Sequence, residues 1–342
     1  MRVDEFDYEL PPELVAQEPL ERRDESRLLV LNRATGEVRH RVFRDVLDYL
    51  TSRDALVVNE TRVIPARLFG RRSSGGKTEV LLLKDLEGDR WECLVRPGRK
   101  VRTGDRIVVE KNGRRMEGEV LARTSYGGRI IKWSYQGNFQ ENLEALGTVP
   151  LPPYVKRPIQ DPERYQTVYA RIPGSAAAPT AGLHFTPELL SQIESKGVHV
   201  VKIRLDVGLG TFRPVRETEV EKHAMHEEYF QISEEAARTI NRVRESGGKV
   251  VAVGTTVVRA LETAASPDGK VRPKAEETRL YIYPGYEFKV VDRLITNFHL
   301  PRSTLLMLVC AFAGKELVLK AYREAVKERY RFYSFGDAML IL

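Results

Sequence analysis

The segment KHAMHEE, Lys222 to Glu228, sets two of the chain's six histidines three residues apart and follows them with two carboxylates. Such a cluster suits either a metal site or proton chemistry. It runs on into EYFQIS, which alternates as a strand does, so His223 and His226 belong to a loop or to a strand start, where residues three apart face opposite sides. A shared metal is then awkward, and no third ligand with zinc-type spacing stands nearby. Acid/base work or substrate contact by His226, Glu227 and Glu228 is the better reading, because an imidazole beside carboxylates is either held cationic or oriented as a base.

Three other stretches have the composition of binding sites. In AVGTTVVRALETAA a strand ends at Gly254, Thr255 and Thr256 open a helix, and Arg259 follows one turn in. The free N–H groups of that turn favour an anion, a phosphate or a carboxylate, although a threonine-capped turn is the competing reading. In SAAAPTAGLHFTPE small side chains let a ligand approach the backbone. His184, just ahead of a helix N-terminus, is biased there towards the neutral form that can act as a base; the alternative is a histidine satisfied within the core. The stretch LDVGLGTF, Leu205 to Phe212, resembles the glycine loop of class I methyltransferases that bind S-adenosylmethionine. Phe212 stands where a third glycine is needed, however, and Arg213-Pro214-Val215 shows no helical pattern.

These residues need a frame to hold them. With 342 residues, 42% hydrophobic and 30% charged, the chain is long enough for two domains and too apolar for disorder. No apolar run reaches the roughly 18 residues of a membrane span, and the start MRVDEFDYEL is acidic where a signal peptide is basic, so the cytoplasm is expected. Cys93 and Cys310 form no CxxC pair and read as packed thiols. The net charge of +7 is uneven: residues 62–132 carry 18 basic against 9 acidic side chains, a net +9, which leaves −2 for the rest. A patch of that kind suits a phosphate-rich partner or a solvated basic surface.

The same segment breaks into short β-type runs, TEVLLL, RWECLV, RIVVE, MEGEVLAR and GRIIKW, divided by glycine-containing turns, as in a small barrel or sandwich. Beyond LPPY at 151–154 the period changes. Thr186 caps a helix that stops at Gly197 and leads into VHVVKIRL; Ser233 caps another that stops at Gly247 and leads into KVVAVG. RLITNF, the turn HLPRS and the helix STLLMLVCAFAG form a third unit, followed by an amphipathic helix from about Lys315 to Arg329. The expectation is an α/β fold with a mostly parallel sheet, in two parts (1–61 and 151–342), interrupted by an all-β barrel at 62–150.

Eleven blocks in order, among them LVVNETRVIPARL, GTVPLPPYVKR, APTAGLHFT, HAMHEE, GTTVVRALE, RLITNFHLPRSTLLMLV and YRFYSFGDAML, resemble the S-adenosylmethionine:tRNA ribosyltransferase-isomerase family of queuosine biosynthesis. The resemblance spans essentially the whole chain. It departs at two places, with Asp206 where His is expected and Glu60 where Asp is expected. It implies transfer and isomerisation of the ribosyl part of S-adenosylmethionine onto the aminomethyl group of 7-aminomethyl-7-deazaguanine in the tRNA wobble position, by a monomer needing no metal. That chemistry assigns roles to the residues above: His184 or His226 as base, Glu227 or Glu228 near the sulfonium or the amine, and Gly254, Thr255, Thr256 and Arg259 as the anion anchor. Tyr281 and Tyr283 are expected to stack on a base or face the sulfonium, and Arg99, Lys100 and Arg102 to grip tRNA. A tRNA methyltransferase and a non-catalytic RNA-binding protein are the alternatives.

Overall fold

The computed structural model describes residues 1–157, 159–208, 215 and 217–342; residues 209–212 of LDVGLGTF therefore lie outside the described residues. The chain forms two compact units, one of Met1–Arg62, Pro152–Ile172 and Ala178–Leu342, the other of Val63–Leu151 and Pro173–Ala177.

The first unit opens with strands β1 (Arg27–Leu31), β2 (Val38–Val42) and β3 (Ala55–Asn59). A short strand β4 (Thr61–Val63) carries the chain into the second unit. That unit contains β5 (Arg67–Arg72), β6 (Lys77–Asp85), β7 (Arg90–Arg96), β8 (Arg106–Lys111), β9 (Arg114–Arg123), β10 (Arg129–Tyr135) and helix α1 (Phe139–Leu146). Strand β11 (Ile172–Ser175) marks the second passage between units. The first unit then resumes with α2 (Pro187–Ser195), β12 (His199–Leu205), β13 (Glu228–Ile232), α3 (Glu234–Glu245), β14 (Val250–Val253) and α4 (Thr255–Ala264). It closes with β15 (Lys274–Thr278), β16 (Arg293–Asn297), α5 (Thr304–Ala313), α6 (Lys315–Lys327) and β17 (Ala338–Ile341).

Nine of these strands form one sheet in the order β15-β13-β12-β3-β14-β16-β17-β1-β2. The central strands β3 and β14 are buried at every residue, as strands covered on both faces must be. The expectation of a mostly parallel sheet needs correction. β12, β3, β14 and β16 run parallel, as do β17 and β1, but β15, β13, β17 and β2 introduce four antiparallel neighbours. The cause lies in the connections. β1 turns back into β2 through a short loop, and two consecutive helices, α5 and α6, return the chain so that β17 starts at Ala338, opposite Asn297 where β16 finished. A tight turn reverses strand direction, and in this sheet so do the α5–α6 path between β16 and β17 and the single helix α3 between β13 and β14.

The second unit is a closed antiparallel barrel, β10-β7-β6-β5-β8-β9. Its core alternates inward along each strand and includes Val80, Leu82, Ile107, Val109, Met116, Val120, Ile131 and Trp133. Gly118 leaves room for that tryptophan: a Cβ there would come within 2.7 Å of Ile131 and 2.9 Å of the indole. The β8–β9 hairpin turns at Asn112-Gly113, both with positive φ, the pairing that a two-residue type I′ turn requires. Buried Arg129 organises the turn after β7 by donating to the carbonyls of Gly98 and Val101, each at 2.6 Å, and to those of Gly127 and Gly128. Arg72 adds a bond of 2.7 Å to the Lys100 carbonyl. The backbone that carries exposed Arg99, Lys100 and Arg102 is thus held from beneath by two guanidinium groups.

Candidate active site

The turn between β14 and α4 is built around Gly254, whose φ of 93° suits glycine and strains any residue with a Cβ. Its N–H donates to the Ile295 carbonyl at 2.8 Å and ties the turn to β16. A glycine at the N-cap also leaves α4 without a capping side chain, so the first N–H groups of the helix have no cap acceptor. β14 and β16 are parallel neighbours, and their carboxyl ends bring Gly254-Thr255-Thr256 alongside Asn297 and His299. Ligands of α/β sheets bind at such a place.

A cavity of about 130 Å³ opens there, lined by those residues together with Ala181, Val207, Phe298 and Tyr333. Among the described residues its wall contains no Asp, Glu, Lys or Arg. It does contain two orphaned polar atoms. The Thr256 hydroxyl and Asn297 Oδ1 have no hydrogen-bond partner, on residues only 8% and 2% exposed. Polar atoms buried to that degree are normally satisfied, and an orphan in a cavity marks where a ligand or an ordered water belongs.

The orientation of Asn297 is set by its neighbours. Its amide Nδ2 donates to the Tyr333 carbonyl at 2.9 Å and faces His184 Nε2 at 3.2 Å. A backbone carbonyl only accepts, so the amide nitrogen must face it. His184 Nε2 is then the acceptor of the second amide proton, which places the ring proton on Nδ1, 2.7 Å from the Ser26 hydroxyl. The ring also stacks on Phe43, with centroids 4.9 Å apart. Burial pushes the His184 imidazole down to about 3, so it stays neutral. His299 is likewise driven down to about 3 by burial; its Nε2 lies 2.8 Å from the Thr296 hydroxyl.

Of the residues singled out from sequence, the cavity wall contains Gly254, Thr255 and Thr256. His184 touches it only through Asn297. Arg259 and Glu228 are buried and form an ion pair; the guanidinium also donates to the Leu280 carbonyl at 2.9 Å. The Arg259 charge is therefore spent inside the protein rather than offered to the cavity. Glu228 Oε1 in turn accepts from Gly208 N at 2.8 Å, next to the cavity residue Val207. His226 and Glu227 are exposed in the loop ahead of β13, with Glu227 paired to Arg279. Tyr281 and Tyr283 pack on each other at 5.0 Å, and the Tyr281 hydroxyl lies 3.0 Å from Met307 Sδ, outside the cavity wall. Asp206 is held by Arg204 at 2.6 Å and by the Thr61 hydroxyl at 2.9 Å, and Glu60 accepts a two-pronged bond from Arg171 at 2.8 and 2.9 Å. Among the described residues no group of three or more His, Cys, Asp or Glu is placed to hold a metal, and no helix is long and apolar enough to cross a membrane.

Sequence reasoning passed over Asn297 and His299. The usable signal was local: two polar side chains directly after the buried run Leu294-Ile295-Thr296, at the carboxyl end of a strand in an αβ unit.

A cavity whose described wall is uncharged, at the ends of parallel strands and beside an uncapped helix N-terminus, is the candidate small-ligand site of an α/β protein. The family model for queuosine biosynthesis proteins matches residues 3–341, and the chain belongs to that family. It is 59% identical to the S-adenosylmethionine:tRNA ribosyltransferase-isomerase of Symbiobacterium thermophilum and 58% identical to that of Carboxydothermus hydrogenoformans, with both chains covered in full. A crystal structure of S-adenosylmethionine tRNA ribosyltransferase from Thermotoga maritima is similar at 45% identity with a TM-score of 0.56, covering 99% of this chain and 100% of that one.

The buried neutral histidines give stability a pH dependence. In the unfolded chain an imidazole titrates near 6.5, while His184 and His299 titrate at about 3 when folded. Below pH 6.5 the unfolded state takes up protons that the folded state refuses. Stability is thus full above that pH and falls towards pH 3, by on the order of 1 kcal/mol per pH unit for each imidazole. His184→Gln removes one of the two contributions. Urea unfolding between pH 7 and 5 should find the stability gap between wild type and variant shrinking as pH drops, and a constant gap would contradict the assignment.

Proposed function

We propose that this chain transfers the ribosyl part of S-adenosylmethionine to tRNA and isomerises it, the activity named for its relatives. In the finer reading the acceptor is the aminomethyl group of 7-aminomethyl-7-deazaguanine at the wobble position. The products are epoxyqueuosine, adenine and methionine, and no methyl group moves. The chain acts as a cytoplasmic monomer without a metal, as the family resemblance implies. The observation that carries the reading is an identity of 59% sustained over the full chain. The test is the product set. Incubation with S-adenosylmethionine and tRNA bearing the aminomethyl base should release adenine and methionine in equal amounts, whereas S-adenosylhomocysteine would instead identify a methyltransferase.

The cavity is the proposed place of the cofactor, with Gly254, Thr255 and Thr256 as its anion anchor. Arg259 acts behind that anchor by holding Glu228, and through it Gly208, in place. A base must remove a proton next to the sulfonium, and His184 has its Nε2 lone pair occupied by the Asn297 amide. This favours His226, two residues ahead of Glu228 on the segment that braces the cavity turn at Gly208. Glu227 and Glu228 flank it, and Tyr281 and Tyr283 stand as an aromatic pair for a base or the sulfonium. His226→Ala should lower turnover by roughly 10²- to 10⁴-fold with circular dichroism unchanged. Near-normal turnover in that variant would move the base elsewhere.

The barrel turn at Arg99, Lys100 and Arg102 is the proposed phosphate grip. Each phosphate that a cation neutralises adds a slope of about −0.7 to −0.9 to log affinity against log salt. Reversing all three charges should flatten the slope for tRNA and leave S-adenosylmethionine affinity nearly unchanged. An unaltered slope would assign the grip to other cations.

A further inference from the structure

Two surfaces of the cavity ask for opposite things. On the β16 side, both amide protons of Asn297 are used inward, by the Tyr333 carbonyl and by neutral His184, so the unpartnered Oδ1 can only accept. A ligand must bring a donor to it. On the α4 side, the helix begins at a glycine with no capping side chain, and the Thr256 hydroxyl beside it is buried without a partner. The uncapped N–H groups of the helix call for an acceptor there and favour an anionic one, to which the Thr256 hydroxyl can also donate.

The wall adds a third condition. Among the described residues it carries no formal charge, so none of those would balance a lone carboxylate or a lone ammonium. A group with both charges, neutral overall, meets all three conditions. From this we infer that the cavity holds a subsite for a zwitterionic α-amino acid, occupied by the methionine end of S-adenosylmethionine. The ammonium donates to Asn297 Oδ1, and the carboxylate accepts from the first N–H groups of α4 and from the Thr256 hydroxyl. His184 is a positioning residue: it holds the amide so that the oxygen, not the nitrogen, is left for the ligand. The inference rests on the reading of the cavity as the cofactor site. Adenine is the competing occupant, since it also presents an amino donor next to a ring acceptor, but its acceptor is neutral and makes poorer use of a helix N-terminus.

Calorimetry with the full-length protein separates the possibilities. The ligands are S-adenosylmethionine, its desamino analogue, its decarboxylated analogue and free adenine; the proteins are wild type, Asn297→Ala and Thr256→Val. Wild type should bind each truncated analogue roughly 10- to 100-fold more weakly than the parent, the range for losing a hydrogen bond to a charged group. Asn297→Ala should weaken the parent by a similar factor and leave the desamino analogue unchanged, because the partner of Oδ1 is already missing. Thr256→Val should weaken the parent and the desamino analogue and spare the decarboxylated one. Thr256→Val keeps the side-chain shape, so it decides the matter even if Asn297→Ala fails to fold. Equal binding of parent and desamino analogue to wild type, or equal loss of both in Asn297→Ala, would overturn the zwitterion subsite while leaving the cofactor site standing. Parent binding that neither substitution weakens, or competition by adenine that Asn297→Ala abolishes, would overturn it too. The first of these would also take the cofactor out of the cavity, whereas the second would keep it there in the reverse orientation.

Discussion

The buried pair Arg259–Glu228 joins the pieces from which the cavity is made. Arg259 lies on α4, one turn beyond Gly254, and Glu228 opens β13. The guanidinium reaches the Leu280 carbonyl, and the carboxylate reaches Gly208 N beside Val207. One interaction therefore ties the first turns of α4 to the start of β13 and to the backbone at Gly208. Two charges removed from water at a site this buried gain little net stability from attraction alone. The cost of removing only one of them is larger, about 3–5 kcal/mol, because the other is left buried and uncompensated. Such a pair acts as a registration device, tolerating few arrangements other than the one in which all of its donors and acceptors meet.

A second network works without charge. Ser26, His184, Asn297 and the Tyr333 carbonyl form a chain of hydrogen bonds from the β1 entrance to the end of β16. Each member can adopt only one donor or acceptor role once the carbonyl is fixed, so the direction of the chain is determined by its terminal group. A protonated His184 would set N–H against N–H at Asn297. Depression of the imidazole to about 3 keeps that state from being populated at neutral pH. The neutral histidine thus controls which face of an amide the cavity sees.

What could be read from sequence was whatever depends on near neighbours. The caps at Thr186 and Ser233, the stop at Gly197 and the turn at Gly254 all occur where the sequence placed them, because each is settled by residues within one helical turn. The hairpin segments of the barrel were legible for the same reason. Sheet direction was not: α3 joins β13 to an antiparallel β14 and the α5–α6 pair joins β16 to an antiparallel β17, an outcome of tertiary path that periodicity does not record. The roles of Arg259 and His184 were obscured likewise. The glutamate that captures Arg259 lies 31 residues away, and the asparagine that occupies His184 lies 113 away. A side chain reads as available until its distant partner is known.

The proposed phosphate grip and the proposed cofactor site make opposite demands on charge. A site that grips phosphates gains affinity by releasing counterions, so it needs several exposed cations and loses strength as salt rises. The barrel segment has that composition, with a net +9 over residues 62–132 and a basic turn held on carbonyl-bonded arginines. A cavity meant to orient a small polar ligand needs the reverse: few donors and acceptors, each with a defined direction, in surroundings where salt does not penetrate. The described wall of the cavity at β14 and β16 fits this description, since it offers a helix end, an amide and hydroxyls, while the buried charges of Arg259 and Glu228 pair with each other. Fixed dipoles of that kind hold their strength across ionic conditions that weaken a grip made of exposed cations, so the two proposed contributions to substrate binding are separable by salt.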